Sequence, residues 1–384
     1  MITEKLPQIT LRDVGNNTEG AYRIRNMMKK AARGGEIRIG FLGGSITQGC
    51  LASSPEKCYA YKVFEWFEET FPDAHFKYVN AGIGATDSQF GCARAEEDLL
   101  SREPDICFAE FSVNDGCDEH YHETYEGLVR KILGSSPDRA LMLIFNVRYD
   151  NGENAEPMHR MIADRYGVPC VSLKKAIWSE LESGKIERSL LTTNGLHPND
   201  MGHSLVASVI ISVLEDIREN LRDEGISRDE MPEPETDNAY EDSVRYRNDS
   251  PEGTVIESDG FEADTSAQNG ITDIFKKGWT ASEKGSYIVF GVTGSCIGIQ
   301  YRKTMQKPAP VARVTIDADT SSEIVLDANF DEDWGDKLQL DTVLDHGNPG
   351  RHTVRIELTE VHEGDILPFY LVSVIASGRE LKGS

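Results

Sequence analysis

The sequence predicts an α/β domain, a three-layer α/β/α sandwich around a parallel sheet, followed by an antiparallel β-sandwich. Up to residue 222, short runs rich in β-branched residues alternate with helix-period segments, which is typical of βαβ units. From residue 255 onward, strands with period-2 alternation are instead separated by Gly, Asp and Asn turns. The chain of 384 residues is long enough for two such domains, each with its own core.

The predicted first domain, residues 1–222, contains five strands that are buried on both faces. Parallel sheets of this kind place their sites at the carboxyl ends of the strands. The predicted strands are 37–42, 76–79, 106–111, 141–147 and 168–173, and the predicted helices are 19–32, 61–71, 88–100, 121–133, 156–166 and 201–221.

Residues 223–254 differ from both flanking regions. They contain eleven acidic residues against three arginines and few apolar positions, which predicts an acidic linker. The sandwich domain is predicted over residues 255–384. Its predicted strands are 285–292, 297–302, 312–317, 337–344, 352–358 and 369–376.

The charge of the chain limits its partners. With 40 basic and 65 acidic residues the net charge is −25, which disfavours nucleic acid and anionic membrane as partners. No basic and apolar leader pattern and no apolar run of membrane-spanning length occurs, and seven scattered cysteines suit reduced thiols, so we expect a cytoplasmic protein. Composition leaves a homo-oligomer open.

The first candidate site segment runs from a predicted strand directly into Gly43, Gly44 and Ser45. Glycines allow a sharp turn, so Ser45 would lie at the carboxyl edge of the sheet, where its hydroxyl could act as a nucleophile and its amide could face an oxyanion. The alternative is a phosphate-binding loop. The patterns GxGxxG and GxxxxGK[ST] are both absent, which weakens that alternative.

Two further segments also follow predicted strands. The segment from Asn80 to Ser88 contains glycines and small residues, and Asn114 follows the third strand. Backbone N–H groups and an asparagine amide can stabilise developing negative charge, so these segments and Ser45 could together form an oxyanion hole. Alternatively, Asn80 and Asn114 satisfy only turn backbone groups.

A fourth segment precedes the last helix of the first domain. His197 is followed by Pro198 and Asn199, which are helix start signals, and a loop histidine there could reach Ser45 as a general base. The alternative role of His197 is helix capping or packing. We expect His203 to be a packing or surface residue. Since neither HExxH nor a Cys/His array is present, we predict no metal and no cofactor.

Together the four segments, GGSIT, NAGIGAT, SVND and NGLHP, resemble the sequence blocks of the SGNH hydrolases, also called the GDSL esterase and lipase family. The resemblance covers about residues 35–222. It implies a flavodoxin-like domain that hydrolyses esters without a cofactor. It also implies that Ser45 is the nucleophile and His197 the general base.

The same resemblance implies the members of the oxyanion hole. The Ser45 backbone N–H and the Asn114 side chain match two of the family's donors. The family's oxyanion glycine corresponds to Ala85, with Gly84 beside it. Because this donor is a backbone N–H, alanine can supply it where its backbone angles are allowed.

Three positions depart from the family pattern. Gly44 replaces the aspartate of GDS, and Ser112 replaces the glycine of GxND. Asn194 stands where the DxxH pattern has the aspartate that holds the histidine. In serine proteases, an asparagine at the equivalent position costs on the order of 10⁴ in rate.

Three outcomes of the Asn194 substitution are open at this stage. Ser45 and His197 could work as a dyad, with Asn194 or a backbone carbonyl orienting the ring. Another carboxylate, such as Asp115 or Asp200, could assist. The third outcome is loss of catalysis.

The resemblance implies a serine ester hydrolase, and the appended sandwich resembles the jelly-roll modules of carbohydrate esterases. We therefore expect a carbohydrate O-acetyl esterase acting on small acetylated saccharides. A general short-chain acyl esterase or thioesterase is the second hypothesis, and a non-catalytic sugar-binding protein the third. Trp279, Trp334 and Tyr370 are candidate sugar-stacking residues, although aromatic residues of a sandwich usually belong to its core.

Overall fold

The computed structural model describes residues 6–11, 13–221, 231–250 and 254–379, and the chain divides into two compact units between Asn238 and Ala239. The predicted linker, residues 223–254, lies partly outside the described residues. The described residues of this segment before the division pack against the first unit. Arg130 donates to the carbonyl of Pro232 at 2.7 Å, so these residues belong to that unit.

The first unit alternates strands and helices, as the sequence predicts. Its strands are β1 (Gly15–Asn16), β2 (Glu36–Gly43), β3 (His75–Gly82), β4 (Ile106–Glu110), β5 (Ala140–Phe145) and β6 (Cys170–Ser172). Its helices are α1 (Tyr22–Ala32), α2 (Ser45–Gln48), α3 (Tyr59–Thr70), α4 (Ser88–Asp98), α5 (Glu119–Gly134), α6 (Glu156–Arg165), α7 (Ser179–Glu182) and α8 (Asp200–Glu219).

These six strands form one sheet in the order β1-β6-β5-β4-β2-β3. Strands β2 to β6 are parallel, and β1 pairs antiparallel with β6 at the edge. The parallel strands follow the flavodoxin-like order, so the predicted α/β class is confirmed. The edge strand β1 was not predicted because its two residues are too few for a periodic pattern.

Alternate residues of the strands face one layer of helices. Ile37, Ile39 and Phe41 of β2 are fully buried and share a core with apolar residues of α1, α3 and α8. This spacing follows the period-2 geometry of a strand. Helices α4, α5 and α6 pack against one another in a second layer.

Strand β2 lies between β3 and β4, so chain crossovers leave it in opposite directions and open a crevice at the carboxyl ends. The buried guanidinium of Arg94 holds two of these ends together. It donates to the carbonyls of Ala81, at 2.7 Å, and of Gly43, at 3.0 Å, and it pairs with Asp98. Charge-assisted hydrogen bonds of this kind are stronger than neutral ones, which fixes the spacing of the loops that follow β2 and β3.

The second unit is an antiparallel β-sandwich of two sheets, ordered β15-β12-β17-β10-β9, with β7 beside β17, and β14-β13-β16-β11-β8. All six strands predicted for this region are present. The prediction of an antiparallel β-sandwich after the α/β domain is therefore confirmed. The strands are β7 (Val244–Tyr246), β8 (Val255–Asp259), β9 (Glu262–Ala263), β10 (Trp279–Ala281), β11 (Tyr287–Gly294), β12 (Cys296–Lys303), β13 (Val311–Ile316), β14 (Asp319–Asp327), β15 (Lys337–Leu344), β16 (Gly350–Glu360) and β17 (Phe369–Ser377).

Three aromatic residues of this unit differ in exposure. Trp279 and Tyr370 are buried, whereas the side chain of Trp334 is 52% exposed. Of the three candidate sugar-stacking residues, Trp334 is therefore the one whose ring is accessible. Across the described part of the chain, no helix combines the length and apolarity needed to cross a bilayer.

Candidate active site

Ser45 is the first residue of α2, immediately after the turn that ends β2. A β-carbon added to Gly43 would lie 2.2 Å from Thr47 Oγ1, so only glycine fits the end of the strand. Gly44 adopts an extended conformation and turns the chain into the helix. The Ser45 side chain is consequently held at the carboxyl edge of the sheet, as the sequence predicts.

The structure brings His197 to this serine across 152 residues of sequence, with 2.9 Å between Nε2 and Ser45 Oγ. His197 lies in the loop before α8, whose N-cap is Asn199. The Asn199 side chain accepts the N–H of Gly202 at 3.0 Å, so the predicted start signal is confirmed. His203 packs in the core as expected, with its ring stacked on Tyr59.

The orientation of Asn194 is fixed by its own loop. Its Oδ1 accepts the backbone N–H groups of His197, at 2.9 Å, and of Leu196, at 3.1 Å. Turning the amide over would place its NH₂ group against these two donors. The Asn194 Nδ2 therefore faces His197 Nδ1, at 2.9 Å, and donates to it. A neutral imidazole that accepts at Nδ1 carries its proton on Nε2.

No carboxylate of the described residues forms a hydrogen bond with His197. The Asp115 carboxylate instead accepts from His159, at 3.0 Å, and from the N–H of Ser88. The Asp200 carboxylate accepts from the N–H and hydroxyl of Ser53. Of the outcomes left open by the sequence, assistance from Asp115 or Asp200 finds no hydrogen bond in the structure, because both carboxylates are bound elsewhere.

Two effects lower the pKa of His197 below its ordinary value of 6.5. Burial of the ring is the larger, and the positive charge of Arg148 is the smaller. Arg148 forms a two-pronged salt bridge with Asp150, with Nη2 2.7 Å from Oδ2. With no anion at Nδ1 to favour the imidazolium, burial dominates and His197 stays neutral at neutral pH.

The backbone N–H groups of Ser45 and Ala85 donate to no backbone carbonyl among the described residues. The Asn114 Oδ1 atom is buried without a hydrogen-bond partner, which leaves the Nδ2 group of the same amide as the candidate donor. Ala85 has a positive φ of 55°, a left-handed conformation that costs a non-glycine residue about 1 kcal/mol. Gly84 does not belong to this set. Its N–H donates to Gln48 Oε1 at 2.6 Å, so the prediction that Gly84 contributes to the oxyanion hole is corrected.

Packing is tight around Gly44, the residue that stands where the family pattern has an aspartate. A β-carbon at position 44 would lie 2.5 Å from Asn114 Oδ1, which is closer than side chains approach one another. The asparagine oxygen occupies the space that a side chain would need. Gly44 and Asn114 therefore form one packing unit beside Ser45.

Beneath the site, Ser112 and Glu110 are fully buried. The Ser112 hydroxyl lies 3.0 Å from the carbonyl of Asn146 and 3.2 Å from Glu110 Oε1, so the second departure from the family pattern provides a polar contact in the core. Burial raises the pKa of Glu110 to about 7. Asn80 satisfies backbone groups of the turn, as its alternative role predicts, with Nδ2 2.8 Å from the Thr47 carbonyl.

Sequence reasoning missed three residues that shape this site, namely Gln48, Arg94 and Arg148. Gln48 follows the serine by less than one helical turn, so its position was a usable signal. Arg94 lies mid-helix on α4 and gives no sign of being fully buried. Arg148 is distant from His197 in the sequence, and only the tertiary fold brings its positive charge near the imidazole ring.

The Ser45 hydroxyl and the His197 imidazole have the arrangement of the serine hydrolases, in which imidazole activates a hydroxyl for attack on an acyl carbon. Residues 41–205 match the model of the GDSL-like lipase/acylhydrolase family. The chain belongs to this family and is a serine esterase of the SGNH type.

Two solved structures resemble the whole chain. The crystal structure of a two-domain esterase (CEX) active on acetylated mannans, co-crystallized with mannopentaose, is 50% identical in sequence. It covers 98% of this chain and 100% of its own, with a TM-score of 0.92. A second crystal structure of a CEX esterase active on acetylated mannans is 51% identical, covers 97% of this chain and all of its own, and also has a TM-score of 0.92.

A curated relative resembles part of the chain. It is an acetylxylan esterase of Geobacillus stearothermophilus, 24% identical over 44% of this chain and 90% of its own length.

Proposed function

We propose that the protein is a carbohydrate O-acetyl esterase that removes acetyl groups from mannan-derived saccharides. The observation that carries the reaction type is the contact between Ser45 Oγ and His197 Nε2, at 2.9 Å, at the carboxyl edge of the sheet. The substrate class is supported by the 50% identity, over 98% of the chain, with an esterase active on acetylated mannans.

Acylation begins when Ser45 Oγ attacks the acetyl carbonyl and His197 takes the hydroxyl proton on Nε2. The carbonyl oxygen becomes an oxyanion and accepts hydrogen bonds from the Ser45 and Ala85 N–H groups and from Asn114 Nδ2. The tetrahedral intermediate then expels the sugar hydroxyl, which receives the proton from His197. The products of this half-reaction are the free saccharide and acetyl-Ser45.

Deacylation repeats these steps with water. His197 removes a proton from water, the hydroxide adds to the acetyl carbonyl, and the bond to Ser45 Oγ breaks as that oxygen recovers the proton. Acetic acid is released. The residues involved in both half-reactions belong to the chain itself.

Attack requires the tautomer of His197 that has its lone pair on Nε2. Asn194 donates to Nδ1 and favours the opposite tautomer, so the reaction proceeds from a minor form of the imidazole. This lowers the rate without removing the nucleophile, the base or the oxyanion donors. If the active tautomer were too rare for any turnover, the protein would be the non-catalytic sugar-binding protein of the third hypothesis.

Acetate release distinguishes these hypotheses. The purified full chain is incubated with acetylated manno-oligosaccharides, acetylated xylo-oligosaccharides, and acetyl and butyryl p-nitrophenyl esters. We expect the highest kcat/KM on the acetylated mannosides and loss of all activity in Ser45→Ala, with Ser101→Ala, an exposed serine, as the control. Faster turnover of the butyryl ester would favour the general acyl esterase, and no turnover of any ester would favour the binding protein.

A further inference from the structure

Three side chains of different chemistry meet at one end of the second unit. Cys296 is the first residue of β12, and Asp345 and His346 directly follow β15. These two strands are antiparallel neighbours in which Ile297 pairs with Leu344. The pairing brings Cys296 beside residues almost fifty positions later, so no local spacing in the sequence reveals the cluster.

The ligand atoms of this Cys-Asp-His cluster converge. Asp345 Oδ1 lies 2.8 Å from His346 Nδ1 and 3.8 Å from Cys296 Sγ, and all three atoms are within 4.8 Å of one another. Among the described residues, no other group of three histidine, cysteine or carboxylate side chains is so close.

The backbone already holds the cluster in place. The His346 N–H points to Cys296 Sγ, at 3.4 Å, and the Gly347 N–H donates to the carbonyl of Ser295, at 2.8 Å. The Tyr240 hydroxyl donates to Asp345 Oδ1 at 3.0 Å, a contact that orients the carboxylate as outer-shell partners do at metal sites. Little rearrangement is therefore needed for the three side chains to act together.

We propose that Cys296, Asp345 and His346 form a binding site for a divalent transition-metal ion, with Zn²⁺ as the ion of best fit. A tetrahedral zinc ion with bonds of about 2.0–2.3 Å separates its ligand atoms by roughly 3.3–3.7 Å. The sulfur–oxygen distance of 3.8 Å is close to that range, and the nitrogen–oxygen contact of 2.8 Å must open slightly. The exposed ring of His346 has room for this motion.

The ligand set excludes the common hard cations. Ca²⁺ and Mg²⁺ prefer oxygen ligands, whereas a thiolate, an imidazole and a carboxylate together are typical of zinc. Three protein ligands leave a fourth position for water. Because Cys296 and Asp345 lie on different strands, a bound ion would cross-link β12 to the turn after β15 and stabilise the second unit.

The pair of His362 and Asp365, in which the histidine is exposed and the aspartate side chain is largely buried, provides a comparison without a thiol. Its Nδ1 and Oδ1 atoms are 3.0 Å apart, as in the cluster, but no thiol accompanies them. If an imidazole and a carboxylate alone were sufficient, both places would bind metal. The thiol of Cys296 is what distinguishes the proposed site.

The test uses the reduced, metal-free full chain, titrated with Co²⁺ and followed by absorption, and then with Zn²⁺ followed by calorimetry. We expect one equivalent to bind, a thiolate-to-cobalt charge-transfer band, and a melting temperature a few degrees higher with Zn²⁺. Cys296→Ser should remove the band and His346→Ala should weaken binding at least about tenfold, since each loses one ligand.

Two control variants, His362→Ala and Cys117→Ser, which removes an exposed thiol, should bind as the wild type does. His346 is exposed, so its variant tests the site even if Cys296→Ser fails to fold. Absence of the band in the wild type, or a band that persists in a folded Cys296→Ser variant or disappears in Cys117→Ser, would overturn the proposal. None of these readouts depends on esterase activity.

Discussion

Asn194 donates its side-chain N–H to Nδ1 of His197 across 2.9 Å, the reverse of the hydrogen bond that an aspartate would make there. An aspartate accepts the Nδ1–H and leaves the Nε2 lone pair directed at the serine. Asn194 cannot reverse its amide, because Oδ1 is held by the N–H groups of Leu196 and His197. The main departure from the family pattern therefore acts on the proton of the imidazole.

Replacing Asn194 with aspartate should raise kcat/KM on p-nitrophenyl acetate by on the order of 10²-fold or more, because the carboxylate would select the active tautomer and stabilise the imidazolium. The new side chain keeps an oxygen for the two backbone donors, so the loop should remain folded. Asn220→Asp, at the exposed end of α8, adds the same charge away from this loop and should leave the rate unchanged. Equal rates in Asn194→Asp and the wild type would contradict this role of Asn194.

The pH dependence of kcat/KM should reflect the lowered pKa of His197. Catalysis needs the neutral ring, and a pKa below 6.5 keeps the ring neutral to lower pH than an ordinary histidine. The acid limb of the wild-type profile should therefore have its midpoint below 6.5, and activity should be lost only as the pH falls through that midpoint. Asn194→Asp should move the midpoint upward, since a nearby anion favours the charged ring. A wild-type midpoint above 6.5 would exclude this electrostatic description.

Asn114→Ala should lower kcat by about 10²–10³-fold with a smaller effect on KM, because an oxyanion-hole donor acts mainly in the transition state. Gly44→Ala should also lower kcat, since its β-carbon would lie 2.5 Å from Asn114 Oδ1 and displace the amide. Both variants are compared with the wild type by steady-state kinetics on the same ester.

The double variant tests whether the two changes act through one group. If Gly44→Ala works by displacing Asn114, it should cost little further activity once Asn114 is alanine. Fully additive losses in the double variant would show that Gly44 acts independently.

Glu110 should make the protein less stable as the pH rises. Its pKa is about 7 in the folded chain and near 4.5 when unfolded, so between these values the unfolded chain binds fewer protons and stability falls with increasing pH. Glu110→Gln should remove up to about 3 kcal/mol of this dependence. Urea unfolding of both proteins below pH 4.5 and above pH 7 measures the difference, and parallel pH profiles for the two would contradict it.

The sequence predicted most of the framework because its core strands are strongly apolar. The five parallel strands, the three loop segments that follow them and the loop before α8 carry patterns that depend on residues close together in the sequence. Strand β14 begins with Asp319 and is rich in polar residues. It therefore lacks the regular alternation of apolar and polar residues by which a strand is recognised in a sequence. Edge strands such as β8 are similarly exposed and therefore weakly patterned.

The sequence motifs identify the candidate residues of the site but not their hydrogen bonds. The motifs single out Ser45, Asn114 and His197 because each residue follows a strand or precedes a helix, and the structure places His197 against Ser45. The occupation of the Gly84 N–H by Gln48, and the amide orientation of Asn194, depend on which donors and acceptors meet in three dimensions. A residue pattern carries no information on that pairing.

Measurement of the His197 tautomer is the most direct test of the central claim, which is that Ser45 and His197 work as a pair without a carboxylate. Nitrogen chemical shifts of ¹⁵N-histidine-labelled protein, assigned with His197→Ala at a pH where the ring is neutral, distinguish a proton on Nε2 from one on Nδ1. We expect the Nε2–H form to predominate in the wild type and the Nδ1–H form in Asn194→Asp. A predominant Nδ1–H form in the wild type would contradict the hydrogen bond from Asn194 and the mechanism built on it.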